Sequence, residues 1–134
     1  MSVFTDAELA FLSGHRHGRI ATVNAGGDPH VVPVAFRYNP DADALEVGGP
    51  VIVMTKKYRD ASATGRAAFV VDDGDPPHSP PRGVEVRGRV EALPEGGQEI
   101  FPMFMPEVLR IVPTHIASWG IETEIPTGRD VASA

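Results

Sequence analysis

The 134-residue chain contains no cysteine and only one Trp. Without cysteine it can form no disulfide and offers neither a thiolate nucleophile nor a Cys-based zinc site. No apolar stretch approaches the ~20 residues that a membrane-spanning helix requires. The first residues also lack the basic start and apolar run of a secretory signal. These absences predict a cytoplasmic protein that does not enter a membrane.

Motifs for catalysis by side chains alone are also missing. There is no Walker-type loop, no G-x-G-x-x-G fingerprint and no nucleophile elbow around a Ser. Carboxylates are scattered through turns, which disfavours glycoside or peptide hydrolysis. His15 and His17 have a spacing that suits a metal, but no carboxylate lies nearby in the sequence, so we predict no metal site. Reactivity would then come from a bound organic cofactor.

Charge is unevenly distributed along the chain. The formal net charge of −6 argues against general nucleic-acid binding, yet residues 56–66 carry four cations against one carboxylate. These cations are Lys56, Lys57, Arg59 and Arg66. They follow a Gly-Gly break and Thr55, which can cap a helix N-terminus. Backbone N–H groups, a hydroxyl and ammonium groups in this order favour a phosphate site, with a solvated charged turn as the alternative.

Helix signals occur at two places. Thr5 and Glu8 form a capping box, Phe4 can staple against Leu9, and Gly14 is expected to end this first helix in the left-handed conformation. The basic segment is expected to start a second short helix that ends at Gly65. Residues 94–107 are predicted to be irregular or at most briefly helical.

Six segments have strand character. They cover residues 18–23, 30–38, 45–48, 67–71, 83–91 and 109–119, the last interrupted by Pro113. Pro33 lies inside the second strand, which places it at a sheet edge, at a bulge or beside a ligand. Residues 72–82 are predicted to form an exposed loop. Short strands with many turns indicate a single antiparallel barrel domain over residues 1–134, with a frayed tail from about residue 123.

Six sequence segments, in this order, carry a resemblance to a known family. They are FTDAELAFL, GRIATVNAGGDPHVVPVAFRYNP, TKKYRDA, AAFVVDD, PRGVEVRGRVEAL and IVPTHIASWGIE. The chain resembles the flavin/deazaflavin oxidoreductases of the pyridoxamine-phosphate-oxidase-like split-barrel superfamily, specifically the actinobacterial group that uses coenzyme F420. The resemblance implies a mainly β, six-stranded antiparallel split barrel with short flanking helices. It also implies a homodimer with cofactor sites between the subunits.

The resemblance further implies roles for particular residues. The strand holding Val32, Pro33 and Val34 would lie along the tricyclic ring of the cofactor. The phosphate would be held by Thr55, Lys56 and Lys57, with Arg59 nearby. Arg87 and Trp119 would line the pocket from the second subunit, although Trp119 also suits a plain core position.

The expected activity is hydride transfer from reduced F420 to a conjugated small-molecule substrate, such as biliverdin or another tetrapyrrole, a quinone or an unsaturated lactone-like compound. Arg37 and Arg87 are the candidate catalytic residues, because a cation can stabilise negative charge that develops on the substrate. The loop at 74–82 and the Met- and Phe-rich segment at 96–107 depart from the family pattern and are candidates to border the substrate opening. For the cluster of Phe101, Met103, Phe104 and Met105, dimer or core packing is the alternative. An FMN-dependent oxidase and a non-catalytic F420 or flavin carrier are the alternatives.

Overall fold

The computed structural model describes residues 1–73, 81–123 and 125–132. Strands dominate these ranges: β1 (His17–Val23), β2 (Pro29–Asn39), β3 (Ala44–Gly48), β4 (Arg66–Asp72), β5 (Gly83–Leu93), β6 (Val108–Trp119) and β7 (Thr127–Asp130). The helices are α1 (Asp6–Ser13), α2 (Lys56–Thr64) and α3 (Gly97–Ile100), with a 3-10 turn at Ile52–Met54 before α2. Within the described ranges, no helix has the length and hydropathy needed to cross a membrane.

The strands form one antiparallel sheet that closes on itself. Its order is β3-β2-β1-β4-β5-β6-β7, and β3 also pairs with β6 through Leu45–Ile111 and Val47–Leu109. The first six strands in this order therefore make a closed barrel, which confirms the predicted six-stranded antiparallel fold. β7 is added outside the barrel, on the later half of β6.

The barrel interior is filled by the alternate side chains of each strand. Ile20, Val86 and Ile116 are fully buried, and the rings of Phe36 and Phe69 lie 4.9 Å apart between centroids. Burial of such side chains is the main stabilising contribution, at roughly 25 cal/mol per Å² of apolar surface. The in–out alternation is clear in β4 and β5, whereas all five residues of β3 are buried.

Both predicted helix starts are confirmed, but one predicted helix end is wrong. The Thr5–Glu8 capping box is present, and α2 ends at Gly65 in the left-handed conformation, with φ 73°. Gly14 instead has φ −82° and ψ 0°, in the right-handed region. The N–H groups of Gly14 and His15 bond back to Phe11 and Leu12, so the helix ends in a tightened turn that needs no left-handed residue.

The chain beyond residue 123 also differs from the sequence-based expectation. Residues 127–130 are not frayed, because they pair with β6 and bring the Arg129 guanidinium to 2.7 and 3.0 Å from the two carboxylate oxygens of Glu8. Glu8 is fully buried, so this charge needs a partner. Residues 74–80 of the predicted loop lie outside the described ranges.

Pro113 does not interrupt β6. Gly88 pairs with Pro113 and Arg87 pairs with His115, so Thr114 is the extra residue of a β-bulge. The Thr114 hydroxyl donates to the Arg87 carbonyl at 3.2 Å. The bulge lets the strand continue past a residue that lacks an N–H.

Candidate functional site

The strand β2 changes its neighbours at Ala35. Residues 29–35 pair with β1, whereas β3 joins β2 only from Ala35, which lies opposite Gly48. Beyond this pair the chain leaves the sheet and forms the 3-10 turn and α2. A seam therefore opens between residues 32–34 of β2 and the segment that leads to α2. The predicted ring-binding residues Val32, Pro33 and Val34 lie along it.

Pro33 lies with its amide position on the open side of the seam. The Phe36 N–H donates to the Arg16 carbonyl of the β1 side at 3.0 Å, so even-numbered residues of β2 face β1 and odd-numbered ones face away. At Pro33 the missing N–H thus costs no sheet hydrogen bond, which is the edge-strand position predicted for it. The Val31 N–H and the Pro33 carbonyl remain directed to the seam as a donor and an acceptor.

The start of α2 supplies unpaired donors. The Thr55 hydroxyl donates to the Ile52 carbonyl at 2.7 Å and accepts from the Tyr58 N–H at 3.4 Å, so this side chain builds the helix start. No acceptor for the N–H groups of Lys56 and Lys57 is found in the part of the chain that the structure describes. The first turn of a helix in this state attracts anions.

The two lysines have different surroundings. Lys56 is exposed and its Nζ lies 2.7 Å from Asp60, one turn along α2. Lys57 is half-buried and makes no ion pair with any described residue. Burial lowers the pKa of Lys57 below its ordinary 10.5. A partly desolvated ammonium without a carboxylate beside it favours an external anion as its partner.

Arg59 and Arg66 flank the same helix. Arg59 is exposed one turn beyond the start of α2, and Arg66 follows its last residue as the first residue of β4. Neither forms a salt bridge within the described ranges. The positive potential predicted for residues 56–66 is thus carried by Lys57, Arg59 and Arg66, which have no described counter-ion and can bind an external anion. Lys56 is already neutralised by Asp60.

Apolar side chains are exposed beside the start of α2. Met54 is 73% exposed and Met103 is 78% exposed. The two segments that carry them lie against one another, since the Met105 N–H donates to the Gly49 carbonyl at 3.2 Å. Val51 and Phe101 are exposed at the same end of the molecule. Within the Met- and Phe-rich segment, Met105 packs against the core, whereas Phe101 and Met103 are exposed beside the segment that leads to α2.

Arg37 belongs to a buried ion-pair cluster. Its Nε and Nη2 lie 3.2 and 3.1 Å from Glu46 Oε1, and Arg110 binds the other oxygen at 2.8 and 2.9 Å. Asn39 donates a further hydrogen bond at 3.0 Å. Burial alone would raise the pKa of Glu46. The hydrogen bonds from Asn39 and Arg110 and the charge of Arg37 outweigh this effect, so the pKa of Glu46 is lowered. The Arg37 charge is thus matched before any substrate binds.

Arg87 and Trp119 lie away from the seam of their own subunit. Arg87 is in a cross-strand row with Ala68, Ala21 and Val31, three strand spacings from β2, which is about 14 Å. Trp119 lies over Gly83, where a Cβ would be 2.2 Å from its ring. Both side chains are on the outer face of the barrel, so within one subunit they do not join the other predicted residues. Their assignment to a second subunit stays a prediction.

His15 of the histidine pair has a structural role. His15 Nε2 lies 2.8 Å from Asp73 and its Nδ1 lies 2.7 Å from the Phe11 carbonyl, while His17 starts β1. In the described ranges there is no cluster of three His, Cys, Asp or Glu side chains that could hold a metal. Sequence reasoning missed Asp73 as the partner of His15, because 58 residues separate them.

The site geometry fits a phosphate-bearing planar cofactor. The seam offers one donor and one acceptor on a strand edge, the α2 start offers two free N–H groups, and Lys57 offers an unmatched charge. Sequence reasoning identified the strand and the helix start from Pro33 and from the charge cluster. It could not distinguish Lys57 from Lys56, because burial and the Asp60 pairing appear only in the fold.

Comparisons with known proteins bear on the family and the fold. The chain is 39% identical over 135 residues to the 5a,11a-dehydrotetracycline/5a,11a-dehydrooxytetracycline reductase of Streptomyces rimosus subsp. rimosus, covering 97% of this chain and 94% of that one. Among solved structures, a hypothetical protein of Mycobacterium tuberculosis superposes with a TM-score of 0.69 at 20% identity, covering 99% of this chain and 95% of that one.

A FAD binding protein of Mycobacterium smegmatis has the same fold, with a TM-score of 0.61 at 18% identity over 98% of this chain and 100% of that one. At these identities the two structures bear on the fold alone. Residues 4–119 match the family described as pyridoxamine 5'-phosphate oxidase. With this match and the closed split barrel, the chain belongs to the pyridoxamine 5'-phosphate oxidase family.

Proposed function

We propose that the protein is an F420-dependent oxidoreductase that reduces a conjugated, fused-ring organic acceptor. The observation that carries this proposal is Lys57, a half-buried cation without a described counter-ion at the start of α2. Such a group is stabilised when a phosphate binds, because the phosphate restores the interactions that burial removed. Arg59 and Arg66 would then meet the further carboxylates of the F420 tail, which FMN lacks.

The seam supports a ring with an imide edge. The Val31 N–H and the Pro33 carbonyl present a donor and an acceptor on one strand edge, which matches the alternating carbonyl and N–H groups of a pyrimidinedione ring. When bound and reduced, F420 supplies a hydride. The chain's part is to fix the ring beside the acceptor, since alignment at about 3–3.5 Å lowers the barrier to transfer.

The choice of acceptor is supported by the Streptomyces relative. Its printed name describes a reductase of dehydrotetracyclines, which are fused-ring compounds with a conjugated carbon–carbon double bond. Hydride addition to that bond leaves the electron pair on the conjugated oxygen, and a solvent proton completes the reduction. Exposed Met54, Phe101 and Met103 can cover such a flat surface and keep water from it.

We also propose that two copies assemble into the functional unit. The outward face of the sheet carries small apolar residues at Ala21, Ala68, Val70 and Ala117, with the charged residues Arg19, Glu85 and Arg87 between them, and Val31 is 63% exposed at its edge. Exposed apolar side chains favour burial against another protein surface, and the charged side chains beside them can pair across such an interface. A second copy would bring its Arg87 and Trp119 towards the seam and leave Arg87 as the catalytic candidate.

The test is turnover under anaerobic conditions. Reduced F420 is mixed with the protein and a fused-ring enone, and the return of oxidised F420 absorbance is followed. We expect protein-dependent oxidation with F420 and none with reduced FMN. Tight FMN binding with no F420 binding would indicate an FMN oxidase instead. F420 binding without turnover on tetracycline-type, quinone and tetrapyrrole acceptors would indicate a carrier.

A further inference from the structure

A groove of about 780 Å³ lies on the outer side of β2, between the end of α1 and α3. Its floor includes Ala35 and Arg37 of β2, and one wall includes Ile100, Phe101 and Phe104. The opposite wall is formed by residues 12, 13 and 15–17, and Glu99 lies at the α3 side. The volume is in the range of sites that enclose small organic molecules.

The groove is continuous with the seam along one face of β2. Pro33, Ala35 and Arg37 alternate along the strand, so their side chains point to the same side of the sheet. Gly48, the partner of Ala35, lies under the Phe104 ring, with a notional Cβ only 3.2 Å from it. A ring held at Pro33 would therefore have the groove as its neighbour on that face.

Two groove residues carry a charge without a counter-ion among the described residues: Arg16 on the α1 side and Glu99 on the α3 side. Because they lie on opposite walls, an anionic group is favoured only at the Arg16 side. Arg37 is matched by Glu46, and the ring nitrogens of His15 are engaged by Asp73 and the Phe11 carbonyl. Arg16 is exposed and forms no salt bridge with a described residue. Its carbonyl is fixed by the Phe36 N–H at 3.0 Å, so the residue is anchored by its backbone at the groove wall.

The facing wall is aromatic. The rings of Phe101 and Phe104 lie 5.5 Å apart at 51° to one another, and Phe101 is 48% exposed. An exposed aromatic pair offers stacking surface for a flat ligand. The groove thus combines a stacking wall with an unmatched cation on the other side.

We infer that this groove binds the acceptor, and that it selects planar fused-ring compounds carrying an ionised enol or phenol, with Arg16 pairing the oxyanion and Phe101 stacking on the rings. This inference rests on the proposed function for the identity of the ligand as an acceptor. The groove itself is defined by residues that do not include the phosphate-binding candidates, so it can be tested separately.

The experiment measures the binding of two matched probes by calorimetry, first to protein without cofactor and then to protein saturated with oxidised F420. 2-Hydroxy-1,4-naphthoquinone is ionised at neutral pH, whereas 2-methyl-1,4-naphthoquinone is uncharged. We expect Arg16→Gln to lower the affinity for the ionised probe by about tenfold and the affinity for the uncharged probe by less than about twofold. Phe101→Ala should lower the affinity for both probes by the same factor. Arg89→Gln, a change at another exposed arginine, should affect neither.

Two results would overturn the inference. One is that Arg16→Gln, compared with Arg89→Gln, lowers the affinity for both probes equally or lowers neither affinity. The other is wild-type protein that binds neither probe with or without F420. Failure of the proposed function has a different signature, because F420 then does not bind, while the probe measurements on cofactor-free protein still decide about the groove.

Discussion

The Arg37 guanidinium contacts Glu46 through two nitrogens, at 3.2 and 3.1 Å from one carboxylate oxygen. Glu46 is 1% exposed and Arg110 binds its other oxygen at 2.8 Å. A residue that the sequence offered as a catalyst is therefore part of a buried electrostatic cluster that ties β2, β3 and β6 together. The cluster lies under the α3 segment and supports the groove from below.

Loss of the Glu46 carboxylate should destabilise the fold. We expect Glu46→Gln to lower the free energy of unfolding by about 3 kcal/mol, because two arginines lose their shared partner. Urea denaturation measures the change. The control is Glu85→Gln, since Glu85 is more exposed and its contact with Arg87 is 3.6 Å; this variant should lose less than about 1 kcal/mol. Equal losses in the two variants would contradict the role of the cluster.

Stability should fall in acid because of two buried carboxylates. Burial opposes ionisation of Glu8, but hydrogen bonds from Arg129 and from the Thr5 N–H outweigh it, so the pKa of Glu8 is lowered from its ordinary value of 4.5. The pKa of Glu46 is lowered in the same sense. A carboxylate with a lowered folded pKa stabilises the fold above its unfolded pKa, and this contribution disappears as pH falls through the folded value.

Unfolding free energies measured from neutral pH to about pH 3 check this prediction. The difference between wild type and Glu46→Gln should be largest at neutral pH and should shrink as pH falls below 4.5. A difference that stays constant over the whole range would show that ionisation of Glu46 does not stabilise the fold.

The C-terminal strand should be essential for stability. We expect Arg129→Met to lower the free energy of unfolding by about 3 kcal/mol, because Glu8 is fully buried and loses its cation. The double variant with Glu8→Gln should recover part of this loss, since the unpaired charge is then removed. A double variant as unstable as the sum of the single changes would argue against the pair.

Assembly should depend on the small apolar residues of the outer face. We expect Ala68→Glu to give a monomer in light scattering and to lose activity, because a carboxylate would be placed in the proposed interface. Ala10→Glu, at an exposed position of α1, should leave a dimer. A wild-type protein that is monomeric at micromolar concentration would contradict the proposed assembly.

Much of the fold could be predicted from the sequence because its signals are local. The Thr5 and Thr55 caps, the Gly65 helix end and the strand alternation each depend on neighbouring residues. The Glu8–Arg129 pair was missed because the two residues lie 121 positions apart. β7 was missed because it has only four residues, Thr127–Asp130, and no apolar alternation. A charged residue inside an apolar strand, as Glu46 is, was the one available hint of a buried ion pair.

The candidate site was predictable in part for the same reason. The basic cluster marks the start of α2, and Pro33 marks the open edge of β2. That the two bind one cofactor stays a prediction. The sequence does not show that Glu46 and Arg110 lie beside Arg37, and the catalytic role of Arg37 stays a prediction. The different roles of Lys56 and Lys57 depend on a pairing with Asp60 and on burial, which only the folded chain determines.

The most direct measurement of the central claim is calorimetric titration of F420 into wild type, Lys57→Met and Lys56→Met. We expect Lys57→Met to weaken F420 binding by at least about tenfold, because an unmatched ammonium at the helix start loses its phosphate contact. Lys56→Met should weaken binding by less than about threefold, since Lys56 is already paired with Asp60. No F420 binding to well-folded wild type, or equal affinities in wild type and Lys57→Met, would contradict the account.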